Sequence, residues 1–180
     1  MPWLERRARI EGVSTRIALL SDTHGFVDDE ILDHCQSCDE IWHAGDIGSK
    51  SVMTALGSLK KPIRAVSGNI DGKLLEYPVD QQFTLDSVRV WMRHIVGNPK
   101  RYNPEILELL PSVKPNLLIC GHSHILEIAR DSRGILFINP GAAGHHGFHP
   151  RRTMVRLTLD RGSVKDVEAI DFGVRGRVNP

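Results

Sequence analysis

The first seventy residues repeat one unit, a strand, a polar loop and a helix, and that repetition restricts the folds open to the chain. The apolar run Arg16–Leu20 stops at the polar cluster Ser21-Asp22-Thr23-His24-Gly25. Helical spacing of Ile31, Leu32 and Cys35 follows over 28–35, with acidic residues at its start, where the helix dipole favours them. The unit recurs as a strand over Glu40–Ala44, the loop Gly45-Asp46-Ile47-Gly48 and a helix over Ser51–Leu59. A third strand, Ile63–Val66, opens into Ser67-Gly68-Asn69. Such a pattern predicts parallel strands with right-handed crossovers. Sheets of this kind present ligand groups on loops at the carboxyl ends of their strands. Those loops carry Asp22 and His24, then Asp46, then Asn69.

The second half changes style. Gln82–Leu85 and Val88–Arg93 flank Asp86-Ser87 as a hairpin, and Pro104–Leu110 reads as a short helix with proline in its first turn. Leu117–Cys120 is a strand that opens into Gly121-His122-Ser123-His124. Ile125–Arg130, Ile135–Asn139, Thr153–Leu159 and Ser163–Ile170 alternate with turn signals and predict antiparallel strands. Together these elements predict an α/β (α+β) fold: a mixed sheet, or two sheets packed face to face, with helices outside. A length of 180 residues suits one domain over 16–180. Residues 1–15 carry five charged side chains and no apolar stretch, so they read as a surface extension and not as a secretory signal.

Composition narrows the function classes. A net charge of +1 offers no general argument for nucleic acid, a membrane surface or an acidic partner. No apolar run approaches the roughly 20 residues of a membrane span. A polynucleotide substrate would want a basic track, and only Arg151, Arg152 and Arg156 hint at one, so polymeric nucleic acid is not the expected partner. Cys35 and Cys38 form an isolated CxxC without the second pair of a zinc ribbon, and Cys120 stands apart. An odd cysteine count fits a reducing, cytoplasmic location. Trp3, Trp42 and Trp91 suit either a core or a homo-oligomer interface.

The chemistry-bearing residues are Asp22, His24, Asp46, Asn69, His94, His122 and His124, seven residues on five loops. Carboxylate, imidazole and amide oxygen together suit Mn, Fe, Zn or Ni better than Ca or Mg. Asp22 and His24 are two apart, as are His122 and His124, and in extended backbone such pairs point the same way. Seven donors exceed the needs of one tetrahedral ion. They suit two divalent ions about 3.5–4 Å apart that share a carboxylate, and Asp46, on the middle loop, is the natural bridge.

Ser21–Gly25, Ala44–Asp46, Ser67–Asp71, His94, Gly121–His124 and Ile138–Ala142 occur in an order that resembles the calcineurin-like metallophosphoesterases, and more narrowly their small single-domain phosphodiesterase branch. The resemblance spans about Arg16 to Arg156. It implies two mixed β-sheets packed as a sandwich and flanked by helices on both faces. It implies that Asp22, His24 and His124 hold one metal, that Asn69, His94 and His122 hold the other, and that Asp46 bridges them. A hydroxide shared by the two ions would attack the phosphorus of a phosphodiester or small phosphomonoester. Asp46, Asn69 and His94 would serve catalysis, and Asn69, with Arg151, would contact the substrate phosphate. The alternative is a scaffold of the same fold, weak or inactive as a catalyst.

Two departures from the family pattern stand out. Ile70 occupies a position where many members carry a histidine that protonates the leaving group, and His94-Ile95-Val96 lacks a second histidine common in the small branch. Among the remaining histidines, His43 reads as packing and His34 as solvated, and His145, His146 and His149 read as a solvated loop. Asp71 reads as a brace for a ligand histidine.

Overall fold

The computed structural model describes residues 14–72 and 76–176. The extension read over residues 1–15 lies outside the described residues as far as position 13, as does Trp3, and Thr15 already belongs to the first strand. Strand β1 (Thr15–Leu20) leads through α1 (Asp29–Gln36) to β2 (Glu40–His43), and through α2 (Lys50–Ser58) to β3 (Ile63–Ala65). There follow β4 (Asp80–Leu85), β5 (Val88–Arg93), the short β6 (Gly97–Asn98) and β7 (Arg101–Tyr102), α3 (Pro104–Val113) and β8 (Leu117–Ile119). The chain closes with β9 (Leu126–Arg130), β10 (Leu136–Pro140), β11 (Arg151–Asp160) and β12 (Ser163–Val174).

One sheet has the order β12-β11-β1-β2-β3 and the other β4-β5-β8-β10-β9. In the first, β1, β2 and β3 are parallel, as the repeated unit requires, while β11 and β12 extend the sheet antiparallel. In the second, β9 pairs antiparallel with β10, as alternation and turns predicted, while β8, whose direction they left open, runs parallel to both β5 and β10. The reason is topological. Helix α3 carries the chain from β5 to β8 as a crossover, and a crossover joins parallel neighbours. Side-chain alternation reports which face is buried but not which way a strand runs.

Each strand sorts its side chains by parity. Ile17 and Leu19 of β1 face Val88, Val90, Leu117 and Ile138 of the opposite sheet and form the core between the sheets, with Trp42 fully buried among them. Ala18 and Leu20 point the other way and pack under Ile31 and Cys35 of α1 and Val52 and Leu56 of α2. On the far side, Trp91, Leu118 and Phe137 pack under Ile106 and Leu110 of α3. The result is a two-sheet sandwich with helices on both faces. Trp42 and Trp91 are core residues. Cys35 and Cys38 are free thiols in the layer under α1, and burial pushes the Cys35 thiol up to about 12, which leaves it an inert apolar side chain. His34 is half-buried against the Phe172 ring rather than fully solvated.

Helix α1 starts where Asp28 accepts a hydrogen bond from the Ile31 amide at 3.0 Å. None of the described helices is long and apolar enough to cross a membrane.

Candidate metal centre

Asp22 and His24 follow β1, Asp46 follows β2, Asn69 follows β3, His94 follows β5, and His122 and His124 follow β8. All five loops thus leave the carboxyl ends of strands that run parallel within their sheets. The loops are bound to one another before any ligand is considered. The amides of Asp22, His24 and Gly25 donate to the carbonyls of Gly45, Asp46 and Ile47 at 3.0, 3.0 and 2.7 Å, so the first loop is pinned along the second. The Gly121 amide donates to His94 O at 3.0 Å and ties the last loop to the fourth.

Asp22, His24, Asp46 and His124 place one ligand atom each within 4.8 Å of one another, and Asp46, His94 and His122 form a second such group. Asn69 joins the second group, with its Oδ1 3.0 Å from His122 Nδ1. Asp46 belongs to both groups. Its Oδ2 lies 3.7 Å from His24 Nε2 and its Oδ1 3.3 Å from His94 Nε2, so the two carboxylate oxygens face opposite sides. Burial grades across the centre. Asp22, Asp46 and His94 are buried, His24 and His124 are half-buried, and Asn69 and His122 are exposed at the mouth.

The paired residues converge, but not by the backbone geometry that their spacing suggests. Asp22, His24, Asp46, His122 and His124 have φ of 53°, 47°, 52°, 68° and 59°, so the paired ligands converge through left-handed turns, not through extended backbone. Non-glycine residues in this region cost roughly 1–3 kcal/mol each and persist where surrounding contacts over-determine them, commonly at functional sites. The ladder between the first two loops supplies such contacts here.

The proton inventory argues for cations. His94 Nδ1 lies 2.7 Å from Ala44 O, an obligate acceptor, so that nitrogen carries the proton and Nε2 presents a lone pair. His149 Nε2 lies 3.1 Å from Gly144 O and donates to it, which makes His149 Nδ1 an acceptor. His124 Nδ1 sits 3.2 Å from that acceptor and donates, so His124 Nε2 is also bare. It faces Asp22 Oδ1 at 3.1 Å and His24 Nε2 at 3.3 Å. Asp22 Oδ1 and His94 Nε2 are buried without hydrogen-bond partners. Acceptors turned toward one another in a buried space need a positive charge between them, and divalent ions fit this donor set. Burial pushes the Asp46 carboxyl up, but the neighbouring His94 and His24 and the Ile70 amide, which donates to Oδ1 at 3.1 Å, outweigh it and hold Asp46 below the usual carboxylate range. Burial in turn pulls His94 down, and Asp46 and Asp22 raise it above the usual imidazole value.

Several supporting residues were invisible or misread in the sequence. His149 is buried and braces His124, not part of a solvated loop. Its neighbour His145 is half-buried and bonded to Arg175 O, whereas His146 is exposed with its ring 4.9 Å from that of His24. His43 is fully buried but polar in role: Nδ1 accepts from the Gly45 amide at 3.2 Å and Nε2 donates to Thr23 Oγ1 at 2.9 Å, locking the first loop to the second. Asp71 braces loop backbone rather than a ligand histidine. Its carboxylate accepts from the Gly48 and Gly68 amides at 2.8 and 2.7 Å and joins the second and third loops. Asn139 donates to Gly121 O at 2.7 Å and Ser123 Oγ at 2.9 Å and holds the last loop. Arg152 is buried against Phe26, donating to Ala143 O and pairing with Asp28, so it is committed to structure and not to phosphate. Arg151 is exposed and paired with Asp171.

Glycines permit the closest approaches. A Cβ on Gly68 would lie 2.0 Å from Asp46 Oδ1, and one on Gly121 would lie 2.0 Å from Ser21 Oγ.

Comparison with known proteins identifies the family. Residues 15–162 match the model of the calcineurin-like phosphoesterase superfamily domain. A protein of Methanothermobacter thermautotrophicus described as a probable metallophosphoesterase is 29% identical over 163 residues, 87% of this chain and 92% of that one. Among solved structures, an archaeal phosphodiesterase superposes with a TM-score of 0.68 at 20% identity, covering 87% of this chain and 99% of that one. Wild-type Vps29 of Entamoeba histolytica in complex with zinc superposes with a TM-score of 0.65 at 21% identity, covering 88% and 99%. At these identities the two structures speak for the fold alone. The chain belongs to the calcineurin-like phosphoesterase superfamily.

Proposed function

We propose that this protein is a hydrolase of phosphodiesters, able also to take small phosphomonoesters, with two divalent ions held by seven side chains. Asp22, His24 and His124 would hold one ion, Asn69, His94 and His122 the other, and Asp46 both. The observation that carries this reading is the position of Asp46, whose two oxygens face two separate groups of donors. Ions in these positions would act as Lewis acids that activate a water molecule and neutralise phosphoryl charge. Manganese, iron, zinc and nickel all suit the donors.

The chain's own residues do the rest. His94 is fixed by Ala44 and His124 by His149, so neither imidazole has to reorient when an ester arrives. The Asn69 amide, exposed at the mouth, is placed to donate to a phosphoryl oxygen while its carbonyl serves as ligand. Because Asn69 is neutral, the two aspartates leave the centre net positive toward a phosphate. Arg151 would reach the phosphate only by leaving Asp171. In the overall step the water oxygen bonds to phosphorus, the bond from phosphorus to the leaving oxygen breaks, and one proton of the water passes to that oxygen or to solvent. Ile70 cannot donate that proton, and a general acid is worth about 10²–10⁴-fold, so esters of acidic alcohols and phenols are the favoured substrates. We place the reaction in the cytoplasm, with a small phosphoester as substrate rather than a polynucleotide.

The test is manganese-stimulated cleavage of bis(p-nitrophenyl) phosphate by purified protein. Turnover that disappears with chelator and returns with metal supports the reading. Two bound ions without turnover on any ester would favour the scaffold of the same fold.

A further inference from the structure

Three of the ligands are each followed directly by an exposed isoleucine: Asn69 by Ile70, His94 by Ile95 and His124 by Ile125. Ile125 is 64% exposed, and Val79, on the same side of the molecule as Asn69 and His94, is 60% exposed. Water-facing isoleucine is unfavourable unless a ligand covers it, and contiguous apolar surface commonly marks a binding site.

Ile95, Ile125 and Val79 line two hollows beside the exposed half of the centre. The larger, about 610 Å³, is bounded by His122 and lined by the exposed Ile95 and Ile125 together with Asn98, Lys100, Asn103 and Glu127. The smaller, about 180 Å³, is bounded by Asn69 and His94 and walled by Val79 and Ile95. Ile95 lines both and forms the partition between them. A phosphate held on Asn69, His94 and His122 would therefore have a recess on each side, each with exposed apolar side chains in its wall. A phosphomonoester has a single esterifying group and would leave one recess empty. A phosphodiester has two.

Resting on the phosphoesterase reading above, we propose that the preferred substrate is a phosphodiester whose two esterifying groups differ in size and each present an apolar or aromatic face, to Ile125 on one side and Val79 on the other. The bulkier group occupies the recess of Ile125, and the slighter one occupies the recess of Val79.

The test measures binding apart from turnover. Diphenyl phosphate and dimethyl phosphate carry the same charge and differ only in their arms. Calorimetry on the manganese-loaded protein should show diphenyl phosphate binding about tenfold or more tightly, since each buried ring removes apolar area from water. Ile125→Ser and Val79→Ser change exposed side chains that line one recess each, and each should cut that preference about threefold. Equal affinity for the two diesters, binding of neither, or a preference that survives both substitutions overturns the proposal. Retained preference without hydrolysis of p-nitrophenyl phenyl phosphate supports the recesses while refuting the hydrolase reading.

Discussion

The Nδ1 atoms of His124 and His149 lie 3.2 Å apart, and His149 Nε2 is bonded to Gly144 O, so the proton between the rings belongs to His124. Gly147, at φ +123°, makes room for the pair: a Cβ there would stand 2.0 Å from His124 Nδ1. The arrangement turns the bare Nε2 of His124 toward Asp22. His149→Leu should weaken metal affinity about 10–100-fold, the usual loss when the partner of a ligating imidazole is removed. His149→Asn, whose Oδ1 can stand in for the accepting nitrogen, should restore most of it. Competition against a chelator indicator measures both. Equal affinities for the two variants would show that His149 fills space and does not orient its neighbour.

Gly68→Ala tests the approach of the third loop to Asp46. The added methyl would fall 2.0 Å from Asp46 Oδ1 and 2.2 Å from the Asp46 amide nitrogen. Overpacking of this kind costs about 1–3 kcal/mol, and here the displaced group is the proposed shared ligand. Metal content should fall below two ions per chain, with stability lowered by an amount in that range, as read by metal analysis and urea denaturation. Two tightly held ions in this variant would contradict the packing.

Asp71→Ala should loosen metal binding by releasing the Gly48 and Gly68 amides, while the far-ultraviolet circular dichroism of the fold stays intact. Each lost bond to a carboxylate is worth about 1.5–3 kcal/mol. A variant with unchanged metal affinity would show that the second and third loops hold their places without this bridge.

His43 makes metal-free stability depend on pH. Burial pulls its pKa down to about 4, against which the charges of Asp71 and Asp22 only partly compensate. In the unfolded chain it titrates near 6.5. The unfolded state therefore binds more protons between these values, so the stability contributed is complete above about pH 6.5 and is lost as pH falls toward 4. The full loss is on the order of 3 kcal/mol. His43→Asn should flatten this part of the curve in urea unfolding with chelator present. An unchanged slope would place the acid sensitivity elsewhere.

Much of this architecture could be read from the chain. The strand-loop-helix repeat gave the parallel strands β1 to β3, and residue types and order picked out donors from Asp22 to His124 that the fold brings together at one end of the sandwich. Three things escaped. The direction of β8 relative to β5 did, since parity of burial carries no polarity. So did the left-handed turns at Asp22, Asp46 and His122, since these residue types occupy that region only when their neighbours compel it. His149 and His43 were misjudged because a histidine's role is fixed by the partners of its two nitrogens, and those partners, Gly144 O and Thr23, are placed by the tertiary fold.

The most direct measurement is anomalous diffraction from crystals of manganese-loaded protein. Two peaks about 3.5–4 Å apart are expected, one on each side of the Asp46 carboxylate. A single peak, or peaks that do not share Asp46, would contradict the dinuclear centre.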